Sequence, residues 1–186
     1  MKKLILLIIA FLFINVGFAQ DKYFTKNGTI IFDATTSTSP EKVSAINKSL
    51  ACVLDTKTGN IQFSVLMQGF EFEQALMREH FHENYLESEK FPKSIFKGQI
   101  SNPSSINYGK NGTYDVSVKG QMLMHGITKA LETKGKLTVN NGKISVAANF
   151  SILLADYQVL VPRLVGDKVG KNATIKVDCV LQVLNN

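Results

Sequence analysis

Alternation with a period of two residues runs through most of this chain and restricts it to folds built from strands with one buried face. Tyr114, Val116, Val118, Gly120, Met122 and Met124 share one parity, and Asp115, Ser117, Lys119 and Gln121 share the other, as happens when successive side chains leave a strand on opposite faces. Leu123 is the one departure. The pattern returns in Ile144, Val146, Ala148, Phe150, Ile152 and Leu154, and again in Ile175, Val177, Cys179, Leu181 and Val183. Short polar turns separate the runs: Asp55 to Asn60, His125-Gly126, and Asn140-Asn141-Gly142. Strands joined by turns this short pair antiparallel.

One segment follows another rule. From Glu71 to Ser88 there is no β-branched residue and helix formers dominate, so the segment is expected to be a helix inserted between two strands, with Pro92 restarting extended chain. Between Ala155 and Lys171 the alternation loosens around Pro162, Gly166 and Gly170, which predicts a long connection at one end of the fold. Around eight strands with short hairpins avoid exposed edges best by closing on themselves. The expected fold is all-β, an antiparallel up-and-down β-barrel of about eight strands with one helical insertion. A barrel of that size is just wide enough for packed side chains or one slender ligand.

The first nineteen residues stand apart. Lys2 and Lys3, the apolar run Leu4 to Ile14, and Gly17-Phe18-Ala19 have the three parts of a signal peptide. Cleavage after Ala19 leaves residues 20–186 as a single domain, periplasmic or secreted, with no stable membrane insertion. Loss of the two lysines lowers the net charge from +6 to +4, and the remaining lysines alternate with acids, so nucleic acid is not an expected partner. Export brings Cys52 and Cys179 into an oxidising compartment. Each lies in a strand-like segment, where it can bridge to the other or sit as a small apolar thiol. Nothing in the sequence sets an oligomeric state.

The densest set of reactive side chains is Arg78-Glu79-His80-Phe81-His82-Glu83. Two histidines two apart lie about 200° around a helix and cannot hold one ion. No Gly-x-Ser-x-Gly elbow accompanies the three histidines to support a serine hydrolase. Gly166 and Gly170 lack the strand-to-helix context of a phosphate loop. His125 falls in a hairpin turn and is expected to serve the turn or cap a barrel end. What remains is the interior. Parity points Phe63, Val65, Met67, Phe96, Ile100, Met122, Met124, Phe150 and Ile152 inward, a set that can simply pack together or adapt to a flexible apolar guest.

Gly120-Gln121-Met122-Leu123-Met124-His125-Gly126-Ile127-Thr128-Lys129 resembles the Gly-x-Leu-Thr-Leu-His-Gly-Val-Thr-Lys motif of the YceI family. Glu79-His80-Phe81, Leu86-Glu87-Ser88 and Phe91-Pro92-Lys93-Ser94-Ile95-Phe96 resemble further stretches of that family, and the likeness runs over about residues 29 to 184. The sequence departs from the family pattern at Leu123, which stands for Thr, at Leu153 to Gln158, and in the N-terminal half, which lacks a Phe-x-Gly-x-Phe strand. The resemblance implies a lipocalin-like barrel, exported, holding a long-chain isoprenoid lipid in a central tunnel, with no catalytic residues and no cofactor. The residues it singles out as ligand contacts, with those of the interior, are Phe63, Met67, Met77, His80, Phe81, Phe96, Met122, Met124, Phe150 and Ile152. Two other readings are a structural or interaction protein with a filled barrel, and a metal-assisted hydrolase centred on His80.

Overall fold

The computed structural model describes residues 22–161 and 168–184. The expected leader and cleavage site, with Pro162 and Gly166, lie outside the described residues. Among the described residues there are nine strands: β1 (Lys22–Thr35), β2 (Ser44–Asp55), β3 (Asn60–Leu66), β4 (Glu71–Phe72), β5 (Lys93–Ile100), β6 (Gly112–Met124), β7 (Ile127–Asn140), β8 (Lys143–Leu153) and β9 (Val169–Val183). All pair antiparallel in the order β1-β9-β8-β7-β6-β5-β3-β2, and β1 pairs with β2 to close the barrel. The eight long strands are the expected barrel. β4 is a two-residue stub on the free stretch of β2, with Ala45 opposite Phe72 and Ile46 opposite Glu71.

The turns match their residues. His125 and Gly126 have φ of 50° and 74°, Asn141 and Gly142 of 48° and 77°, and two successive positive φ values are what a tight hairpin between right-twisted strands requires. The β7–β8 hairpin marks the closed end of the barrel. There Leu54, Ile61, Ile100, Leu137, Ile144 and Leu181 form a dense core with Cys52 and Cys179. Both cysteines are buried free thiols. The other end, the mouth, carries the β6–β7 hairpin and the helical insertion.

β1 is the strand the alternation does not disclose. Thr25 pairs with Cys52 and Gly28 with Leu50, so three steps along β1 match two along β2, and from Gly28 to Ile30 the imbalance reverses. Paired bulges of this kind shift the inward parity. Gly28 is required at the crossing, because a Cβ there would lie 2.8 Å from the Cβ of Cys179.

The insertion is shorter than its composition predicts. The α-helix, α1, spans only Ala75–His80, followed by a π-helical turn over Phe81–Tyr85. Glu71 and Phe72 leave the helix because they pair with the edge of β2, and the widened turn closes with the Leu86 amide donating to the Phe81 carbonyl at 2.9 Å. No residue of α1 is buried. Tertiary contacts through Phe81 and Leu86, which are 5% and 3% exposed, therefore hold the insertion against the barrel. Among the described residues no helix is long and apolar enough to cross a membrane.

Candidate functional site

Between the closed-end core and the mouth the barrel encloses a cavity of about 110 Å³, counted as space open to the centre of a water-sized sphere. That is several times the ~10–15 Å³ one water needs on the same measure. Its wall takes Phe63, Val65 and Met67 from β3 and the chain just after it, Phe96 from β5, Met122 and Met124 from β6, Phe150 and Ile152 from β8, and Phe81 from the insertion. Eight of the ten residues singled out from the sequence thus share one wall. Ile100, also placed inward by parity, packs in the closed-end core. Ile30 and Phe32 of β1 and Leu50 of β2 join the lining, and they escaped the sequence reading because the bulges scramble parity there. The inward Ile175 and Val177 of β9 also line it.

The lining carries few polar atoms. Ser94 is one of its polar residues, and its Oγ donates to the Leu123 carbonyl at 2.8 Å, so it offers little to a polar guest. An apolar, satisfied wall favours an apolar occupant by hydrophobic transfer.

Met77 and His80 lie elsewhere. They line a second pocket of about 260 Å³ at the mouth, together with Val43, Phe72 and Tyr85. Burial raises the Tyr85 phenol above its ordinary range. Phe32, Phe81, Leu86 and Leu154 border both spaces, and so form the partition between them. Phe81 is its centre: its ring centroid lies 5.4 Å from Phe32, 5.5 Å from Phe70 and 4.9 Å from Phe72, distances at which aromatic pairs attract beyond simple area burial.

The histidines take separate tasks. His80 is exposed at the mouth pocket. His82 turns the other way, with Nδ1 2.9 Å from the Ser88 Oγ and Nε2 3.2 Å from the Phe70 carbonyl. Among the described residues there is no group of three or more His, Cys, Asp or Glu placed to hold a metal ion. His125 does more than shape its turn. Its Nδ1 is 2.9 Å from the Tyr157 carbonyl and its Nε2 2.9 Å from Glu87 Oε2. Both partners only accept, so the two contacts are satisfied together when each ring nitrogen carries a hydrogen. The hydrogen bond from His125, with help from Lys90, holds the Glu87 carboxyl below its ordinary range. This contact between the hairpin and the insertion was not readable from spacing, since the partners are far apart in the chain.

Strand order, closure and an enclosed apolar space define a lipocalin-like antiparallel barrel. The YceI-like domain model matches residues 16–181, and the chain belongs to that family. Solved structures share the fold at low identity. A polyisoprenoid binding domain from Saccharophagus degradans, described as implicated in plant cell wall breakdown, aligns with a TM-score of 0.73 at 10% identity over 88% of this chain and 99% of its own. BcnA from Burkholderia cenocepacia aligns at 0.65 and 12% identity over 82% and 95%. The YCEI protein of Campylobacter jejuni aligns at 0.54 and 13% identity over 78% and 88%. A comparison with curated protein sequences finds no match.

Proposed function

We propose that this chain is an exported carrier that holds the chain of an isoprenoid-type lipid in the barrel cavity. The observation that carries the reading is the cavity wall itself, built from Phe and Met side chains on five strands and from Phe81 of the insertion. Each buried methylene of a guest contributes about 0.8 kcal/mol, so a short stretch of prenyl chain is enough to offset part of the ordering cost of binding. Thioethers and aromatic rings adapt to a branched, flexible chain better than a wall of β-branched residues does. Met77, His80 and Tyr85 at the mouth would meet the polar end of such a lipid. The polyisoprenoid binding named for the Saccharophagus degradans domain agrees with this reading, as does the leader-like N-terminus with export.

The test is mass spectrometry of an organic extract from the protein purified from its native host, beside a titration of the lipid-free protein with a prenyl alcohol. A co-purifying isoprenoid and a melting temperature that climbs with ligand are expected, because a ligand specific to the folded state must raise its stability. An empty extract with an unmoved melting temperature would favour a barrel that serves as a structural or interaction module.

A further inference from the structure

β7 and β8 are paired along only half their length. Their ladder runs from Asn140 opposite Lys143 to Gly135 opposite Ala148 and stops, while β7 continues on β6 as far as Ile127 and β8 continues on β9 as far as Leu153. Among the described residues, 127–134 and 149–153 therefore each have one strand edge without a strand partner, and the two edges face a common cleft. Gly135 sits at its apex: a Cβ there would lie 2.7 Å from the Ala147 carbonyl oxygen, so the strands touch closely before they part. At the mouth the cleft is bridged again, where Lys129 meets Asp156 at 3.7 Å and His125 meets the Tyr157 carbonyl. Six residues of strand between these limits span about 20 Å.

The cleft reaches the cavity. Leu131 and Thr133 on one edge and Phe150 and Ile152 on the other all line the cavity. Below the apex the inward side chains Leu137, Val139, Ile144 and Val146 are buried, whereas just above it Leu131, Thr133 and Phe150 are only half-buried despite the same inward parity, and Ile152 nearer the mouth is buried again. The route through the mouth is different in kind, since the Phe81 partition and the His125–Glu87 contact stand across it. Passage there means dismantling a packed aromatic cluster, and passage between β7 and β8 means separating strands that share no hydrogen bonds at that level.

We propose that the β7–β8 cleft is a side entrance through which a prenyl chain slides into the cavity. The proposal rests on the lipid-binding reading. A flexible apolar chain suits the opening better than a docking strand, because the outward positions Glu132 and Lys134 on β7 and Asn149 and Ser151 on β8 are exposed polar residues of the kind that discourage strand addition, while the inward Leu131, Thr133, Phe150 and Ile152 lead to the apolar wall.

The experiment closes the cleft. Glu132 and Ser151 are exposed and stand opposite each other if the β7–β8 register is extended. Glu132→Cys with Ser151→Cys, in a chain carrying Cys52→Ala and Cys179→Ala, is bridged with a short bismaleimide and offered fluorescently tagged geranylgeraniol in phosphatidylcholine vesicles. Loading slowed about tenfold or more relative to the unbridged protein, with unchanged final occupancy, is expected of a blocked gate. A bridged protein that loads at the unbridged rate overturns the side entrance and leaves the lipid-binding reading standing, whereas an unbridged protein that takes up no probe overturns both. Thr133→Cys in the same cysteine-free chain gives a second measurement should the double variant not fold. Its thiol should be alkylated at least about tenfold faster than that of Val146→Cys, and more slowly once loaded. Equal rates at the two positions overturn the proposal.

Discussion

Nε2 of His125 lies 2.9 Å from Oε2 of Glu87, which ties the β6–β7 hairpin to the end of the insertion across the mouth of the barrel. Glu87 has a φ of 41°, a left-handed conformation that a non-glycine residue keeps only when its surroundings enforce it. The imidazole is 10% exposed and the carboxylate 42%, so the contact is half sheltered from solvent. Phe91 packs edge-on against the same ring at 4.7 Å.

The pH dependence follows from Glu87. Its folded-state carboxyl titrates below the ordinary range, chiefly through the His125 hydrogen bond. A carboxyl lowered in the folded state contributes stability that is complete above its unfolded pKa and is lost as pH falls through the folded value. Glu87→Gln should therefore lower the melting temperature near pH 5, and the gap to the parent should shrink as the pH falls below about 4.3. Paired thermal melts from pH 3 to 7 check this. A gap that stays the same down to pH 3 would show that the carboxylate charge is not what the hairpin recognises.

Asn47 is fully buried and sits where β2 carries an extra residue against β1, between Asn47 opposite Ile30 and Leu50 opposite Gly28. Its Oδ1 accepts from the Ser49 amide at 2.8 Å and the Ser49 hydroxyl at 2.7 Å, and its Nδ2 donates to the Leu66 carbonyl at 2.9 Å. The side chain thus takes up the Ser49 amide beside the bulge and the Leu66 carbonyl beyond the end of the β2–β3 ladder at Ser64. Asn47→Ala should cost about 2 kcal/mol, the usual penalty for a buried polar group left alone. Urea unfolding with an unchanged slope is the measurement, and a loss below about 0.5 kcal/mol would mean that water replaces the amide without difficulty.

The barrel was legible where strands keep unbroken parity. β6, β8 and β9 alternate as read, and both tight hairpins fall on the residues that tolerate positive φ. β1 was not, because its bulges move the inward side from one parity to the other between Thr25 and Ile30. The insertion was read too long because Phe72, a fair helix residue in isolation, pairs on the edge of β2 and stacks on Phe81. Tertiary context overrides local propensity at that point. The inner wall came through because inward parity and cavity lining are the same property. Met77 and His80 did not join it, since helical spacing alone cannot say whether a face meets the interior or the rim. The opening between β7 and β8 left no trace in the sequence, because a strand alternates whether one edge or both are paired.

Cys52 and Cys179 are 1% and 2% exposed on the two strands that flank β1, and lie close to each other. A hydrogen bond from Cys179 and burial push the Cys52 thiol well above the ordinary cysteine range, which suppresses the thiolate that reacts with alkylating reagents and disulfides. Neither cysteine should titrate with a thiol reagent at pH 8 in the folded protein, and both should titrate in denaturant without prior reduction. Reaction in denaturant only after reduction would identify a bridge between them instead of two thiols.

Met124 lines the cavity and is 7% exposed, so its replacement by Trp tests the cavity as a site. The indole adds volume where the wall now leaves space. In the lipid-free protein the change should cost at most about 1 to 3 kcal/mol, the usual range for an enlarged core side chain, and less if the ring settles into the cavity. The separation comes from ligand. The parent should gain about 2.7 kcal/mol at a prenyl alcohol concentration one hundredfold above its Kd, while Met124→Trp should gain nothing at the same concentration. Equal ligand-induced gains in the two proteins would place the binding outside the barrel, and the mouth pocket lined by Met77 and His80 would then be the place to mutate next.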